Sequence, residues 1–200
     1  MAVLDIKWTT ADRVAPADSA VTGRSEEDAE AERPRADKPM LVWIEHPRDA
    51  DPNEKISKIT LDPDKIRVGC AFFTCIKMTA DAAAEDRLLA DTGKEFPRMV
   101  LITPDYEVAA RLEGKISSSK LYSAMKKTAK KSYACNFDKR VKTLIKLLGE
   151  FDKIENERDV LQEKRARGVN KGEARKIAKE REELDEREKE ANEKRDELLE

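Results

Sequence analysis

The chain has no apolar run near the roughly 20 residues that a membrane-spanning helix needs, so no membrane span is expected. Its first residues, Met1 to Trp8, carry no basic stretch followed by an apolar one, so no signal peptide is expected either. Cysteine is scarce: Cys70, Cys75 and Cys135 make an odd count without the spacing of a disulfide framework. A reducing cytoplasm is the expected home. Aromatics are only 5% of the 200 residues and charged residues 41%, which excludes one compact core throughout and leaves a domain of ordinary size with an extension. There is no glycine-rich phosphate loop, no serine–histidine–acid set can be singled out, and His46 is the only histidine. The 40 basic and 42 acidic residues nearly cancel, so net charge implies no partner.

Met40 to Ile44 is a short, wholly apolar run entered through Pro39 and stopped by Pro47, as expected of a central strand buried on both faces. Residues 38–131 can be laid out around it as one α/β domain. Asn53 can cap a helix with Ile56 and Ile59 on one face. Ile66 to Met78 suits a second buried strand, with Cys70 and Cys75 on opposite faces and so unable to pair. Thr79 caps a helix that runs through Leu89 to Gly93, and Phe96 to Ile102 reads as a third strand, opened by Pro97. Val108 to Leu112 forms its hairpin partner, and Ser117 caps a helix carrying Leu121, Tyr122 and Met125. Residues 1–37 form a leader, with an acidic cluster of Glu26, Glu27, Asp28, Glu30 and Glu32 and a strand or anchor at Trp8. A solvated, partly disordered leader and a short helix around Glu26–Arg33 are its two readings.

From Lys115 to Lys146 ten basic residues face one acid, Asp138. Lys126, Lys127, Lys130, Lys131, Lys139 and Arg140 are the candidate phosphate-contacting patch, with Tyr122 and Tyr133 nearby. A solvated helix face balanced by acids elsewhere explains the same residues. Residues 137–200 read as a helical arm with a break at 167–172, where two glycines fall in six residues. Ile177, Leu184 and Leu198 would lie along the first helix of a hairpin. A long bent helix or coiled coil is the other reading. Such an arm serves docking to a protein partner or self-association.

The succession Trp8, Lys38-Pro39-Met40 to Ile44, Phe96-Pro97 and the Asp105 to Gly114 hairpin resembles the thioredoxin-like superfamily over about residues 38–131. The resemblance implies a central mixed sheet flanked by helices. It also implies a cis peptide bond before Pro97, facing the place where the family carries Cys-x-x-Cys. Here that place reads His46-Pro47-Arg48-Asp49, and residues 46–54 hold no cysteine. Dithiol exchange needs an attacking thiolate and a resolving thiol within reach, so dithiol oxidoreductase activity is not expected. The loop also lacks metal-ligand spacing: Asp49, Asp51 and Asn53 resemble the start of a calcium loop without its later glycine and glutamate. No catalytic residue, cofactor or metal is therefore assigned. The expectation is a redox-inactive interaction module whose partner is held by the arm and the Pro97 face. RNA or ribosome binding through 115–146 is the alternative. A thiol enzyme using a lone cysteine such as Cys135 is the third.

Overall fold

The computed structural model describes residues 5–14, 35–91, 93, 95–133 and 136–199. The acidic cluster at 26–32 and Cys135 lie outside the described residues. The chain divides into two compact units, one of Asp5–Asp138 and one built on Lys139–Glu200.

The first unit holds a five-stranded mixed sheet of β1 (Trp8–Thr10), β2 (Met40–Ile44), β3 (Thr74–Met78), β4 (Arg98–Ile102) and β5 (Val108–Glu113), in the order β1-β3-β2-β4-β5. β3 runs parallel to both β1 and β2, while β4 runs antiparallel to β2 and β5. Every residue of β2 and of β4 is buried, which is why both read as apolar runs without polar alternation. One sheet face carries Met40, Val42, Ile44, Ile76, Met78, Val100 and Ile102, packed with Ala83, Leu89 and Val14. Side chains alternate along a strand, so Leu41, Trp43, Met99 and Leu101, all buried, lie on the other face. α4 (Ser118–Ser132) packs against β4, β5 and α2 (Asp64–Cys70). Because β1 joins the sheet and Phe137 stacks edge-on to Phe72 and Phe73, this unit reaches beyond 38–131 at both ends.

Four local expectations are corrected. The 66–78 run is not one strand: Asp64–Cys70 is the helix α2, and only Thr74–Met78 is extended. An apolar run buried on all sides has no period to tell helix from strand. Gly69 lets α2 pack closely, because a Cβ there would sit 3.0 Å from the Met125 side chain and 3.4 Å from that of Phe137. Next, α1 (Ala50–Lys55) is capped not by Asn53 but by Asp49, whose carboxylate accepts from Asp51 N at 3.0 Å. α1 then continues as a π-helical turn, Ile56–Thr60, closed by Leu61 N donating to Ile56 O at 3.0 Å. The wider turn separates Ile56, which is 3% exposed, from Ile59, which is 66% exposed. Third, Thr79 does cap α3 (Ala80–Glu85), but the helix ends eight residues before Gly93. The cause is Asp86, a buried carboxylate that accepts from Val14 N at 2.6 Å and Leu88 N at 2.8 Å, pulling the chain out of helical geometry. Last, Cys70 and Cys75 are not on opposite faces of one strand but neighbours across the turn that joins α2 to β3.

The second unit is a helical hairpin formed by α5 (Phe137–Ala166), from Lys139 onward, and α6 (Lys171–Leu199). Gly168, at φ +85°, supplies the left-handed residue that ends α5. Asn170 Oδ1 caps α6 by accepting from Gly172 N and Glu173 N at 3.0 Å, and the Glu173 carboxylate accepts from Asn170 N at 3.0 Å. The return helix therefore starts at Lys171, inside the break expected at 167–172. Ile154, Leu161, Ile177 and Leu184 form the buried seam, with Val169 against it. Leu198 is only half-buried, and Ala191 is buried instead. Ion pairs flank the seam: Arg158 binds Asp185 and also Glu188 at 2.7 Å, and Arg187 binds Glu157 at 2.8 Å.

Candidate functional site

The loop after β2 is held by its own side chains. His46 N donates to Asn53 Oδ1 at 2.7 Å, and Asn53 Nδ2 donates back to His46 O at 3.2 Å. His46 Nδ1 accepts from Asp49 N at 2.9 Å and from Arg48 N at 3.3 Å. The ring proton therefore sits on Nε2, and the histidine fastens the loop. Pro47, Arg48 and Asp49 are exposed at the head of α1.

The His46 ring meets the edge of Phe96 at 6.1 Å between centroids, and the Phe96–Pro97 bond is cis. The loop at 46–49 and Pro97 are thus brought together through the His46–Phe96 contact. On its other side the Phe96 ring carries the Arg98 guanidinium 4.3 Å above it. Arg98 is buried and donates to Gly93 O, while its Nε has no hydrogen-bond partner among the described residues. Burial draws its pKa below the usual arginine value, against the opposing pull of Glu113.

Beside Pro97 lies a groove of about 580 Å³. Pro97 and Ile56 form its buried part, Ile59 and Ile116 its apolar walls, and Lys55 and Lys115 stand on its rim. The walls are tied together under the surface, because the buried Thr60 hydroxyl donates to Ile116 O at 2.7 Å. Gly114 N donates to Pro97 O at 3.1 Å, and Gly114 takes φ +60° to turn the chain there. The groove can hold apolar side chains; among the described residues its hydroxyls are Thr60, already bonded, and Ser117, whose oxygen caps α4 by accepting from Lys120 N at 3.3 Å, and its charged groups are Lys55, Glu95 and Lys115.

No protein-family model matches the chain, and no curated protein matches it. The site is therefore read from its own geometry.

Cysteine chemistry has little to work with in the described residues. Cys75 Sγ donates to Cys70 O at 3.7 Å, and both thiols are free and buried. Hydrogen bonding with Cys75, and then burial, push the Cys70 thiol well up. Since thiolates are the reactive form, native-state labelling with a maleimide is expected to leave Cys70 and Cys75 unmodified until the protein unfolds. Peptide mapping after a brief pulse checks this, and rapid modification of either would overturn it. Among the described residues no three His, Cys, Asp or Glu side chains converge as metal ligands, and no helix is long and apolar enough to cross a membrane.

The basic residues of the patch differ in their partners. Lys126 is paired with Asp138, which also accepts from the Tyr122 hydroxyl at 3.0 Å. Burial, then that bond, push Tyr122 up to about 12. Lys127, Lys130 and Lys131 are exposed on α4, whereas Lys139 and Arg140 belong to the second unit. The signals missed in sequence were Ile59, turned outward only by the π turn, and Thr60, whose partner lies 56 positions away.

Proposed function

We propose that the first unit is a thioredoxin-like interaction module without dithiol chemistry. It binds an apolar segment of a protein partner in the groove beside Pro97, and the helical hairpin gives a separate docking surface. The observation that carries this reading is the groove itself: an apolar trough walled by the exposed Ile59, set beside a loop with no cysteine. The sheet order, the β4–β5 hairpin and the cis Phe96–Pro97 bond are what the family resemblance implies, and they support it. The free thiols Cys70 and Cys75 suit a reducing compartment such as the cytoplasm. On the hairpin, Val160 is 51% exposed beside a shallow groove lined by Leu161 and Leu184.

RNA or ribosome binding is the second reading, favoured by Lys127, Lys130 and Lys131, which form no ion pair among the described residues. One experiment separates the two. A photo-crosslinking residue placed at position 59 of the full chain is irradiated in native lysate, with and without nuclease. The expected result is a discrete protein adduct that survives nuclease and falls at least about tenfold when Ile116→Asp is added, the size of one lost apolar anchor. Crosslinking to RNA, or protein adducts that vanish with nuclease, would overturn the module in favour of the basic helix.

A further inference from the structure

β5 is the last strand in the sheet order, and no described strand lies beyond it. Hydrogen-bonding groups along an antiparallel strand alternate between its two neighbours. Because Gly114 N donates to Pro97 O, the alternation turns Leu112 and Ala110 toward β4 and the backbone of Arg111 outward. Between that outer edge and α4 lies a groove of about 530 Å³. Ala109 and Ala110 from β5, with Ser119 and Ser123 from α4, keep it shallow-walled, so a second backbone can come close. Its charged side chains are all cations: Arg111, Lys120 and Lys127. None of the three makes an ion pair among the described residues, and no carboxylate lines the groove.

We propose that this edge is a strand-addition site for an extended, acidic peptide segment of a protein partner, whose carboxylates meet Arg111, Lys120 and Lys127. Strand addition takes affinity from main-chain hydrogen bonds and specificity from the side chains that flank the edge. Here the flanking charge selects acidic sequences. The same charge disfavours a second copy of this chain, because pairing two β5 edges across a two-fold axis sets these cations against one another. A nucleic acid would satisfy the cations but lacks the alternating N–H and C=O groups that the edge of β5 presents. The site is distinct from the Pro97 groove and does not rest on it.

The test uses the full chain and a fluorescein-labelled peptide of about ten residues alternating threonine and glutamate, a length that covers a typical strand pairing. Anisotropy titrations at low salt are expected to saturate. Lys120→Glu with Lys127→Glu should weaken binding by about tenfold or more. Lys120 sits in the first turn of α4, where a glutamate is tolerated. Methylating alternate amide nitrogens of the peptide should cost at least as much. So should Arg111→Pro, which removes an outward N–H at an edge position where proline is tolerated. A lysine-for-glutamate peptide should not bind, and Ile59→Asp should leave the affinity unchanged, which separates this site from the Pro97 groove. No saturation up to millimolar protein, or equal binding of the methylated peptide, would overturn the proposal. So would an oligouridine that binds with sensitivity to the two lysine changes while the peptide does not.

Discussion

Trp43→Ala is expected to remove a large part of the first unit's stability, about 3–5 kcal/mol. Trp43 is the largest fully buried side chain and stands in the middle of β2, the central strand. It meets the Trp8 ring at 5.5 Å between centroids and carries Lys77 Nζ 4.4 Å above its face. Removing a core tryptophan costs about 3–5 kcal/mol, against the 5–15 kcal/mol that holds an ordinary domain together. The variant also uncovers Lys77, which reaches Glu45 at 3.7 Å over the aromatic surface. Trp43→Phe is expected to behave differently. The indole Nε1 is buried without a hydrogen-bond partner among the described residues, so a smaller ring removes a desolvated donor along with some contact area. Its net cost should stay near 1 kcal/mol. Urea unfolding followed by Trp8 emission measures both variants. Equal stability of Trp43→Ala and the parent would mean that the central strand is not packed as described.

Leu184→Asp is expected to open the helical hairpin while leaving the sheet intact. The seam between α5 and α6 rests on four buried side chains, and Leu184 is one of them. The substitution removes an apolar contact worth about 2–3 kcal/mol and asks a carboxylate to enter the same site, which adds several more. The flanking ion pairs of Arg158 and Arg187 are exposed, and each is worth about 1 kcal/mol or less. They cannot hold the helices together alone. Both tryptophans, Trp8 and Trp43, belong to the first unit, so their emission reports only on the sheet. The expected outcome is a loss of ellipticity at 222 nm at unchanged tryptophan emission, with Glu182→Asp, at an exposed position of α6, as control. Full helicity with unchanged thermal unfolding would show that α6 does not depend on this seam.

What the sequence made legible follows from the physics of each element. β2 and, past Arg98, β4 stood out because strands covered on both faces are apolar, and a proline entered each of them. α4 stood out through Ser117, a cap that does here what its residue type predicts. α2 did not, because a helix buried on several sides loses its period. The early end of α3 was hidden as well, since Asp86 reads as an ordinary surface acid until Val14, 72 positions away, donates to it. The same division holds at the groove. That Pro97 faces the loop of His46 was expected from the family resemblance alone. Their junction through Phe96, and the Thr60 to Ile116 bond beneath it, are tertiary and leave no local signature. The cysteines show the risk in the opposite direction: an offset of five excludes contact only inside one straight strand, and a turn at 71–73 cancels the premise.

The π turn at Ile56–Thr60 gives the groove an unusual genetic dependence. It is a helix that counts one residue too many before its next hydrogen bond closes, from Leu61 N to Ile56 O. What holds Ile59 outward is therefore the number of residues between two fixed ends rather than any one side chain. Substitution scanning across 57–59 is expected to leave the turn in place, while Ile59→Asp removes the apolar surface that the turn presents. Loss of a single codon there shortens the count to that of an ordinary α-turn and rotates the following residues by about 100°. The direction in which residue 59 points is thus written in the length of the reading frame, while its identity decides that the wall is apolar.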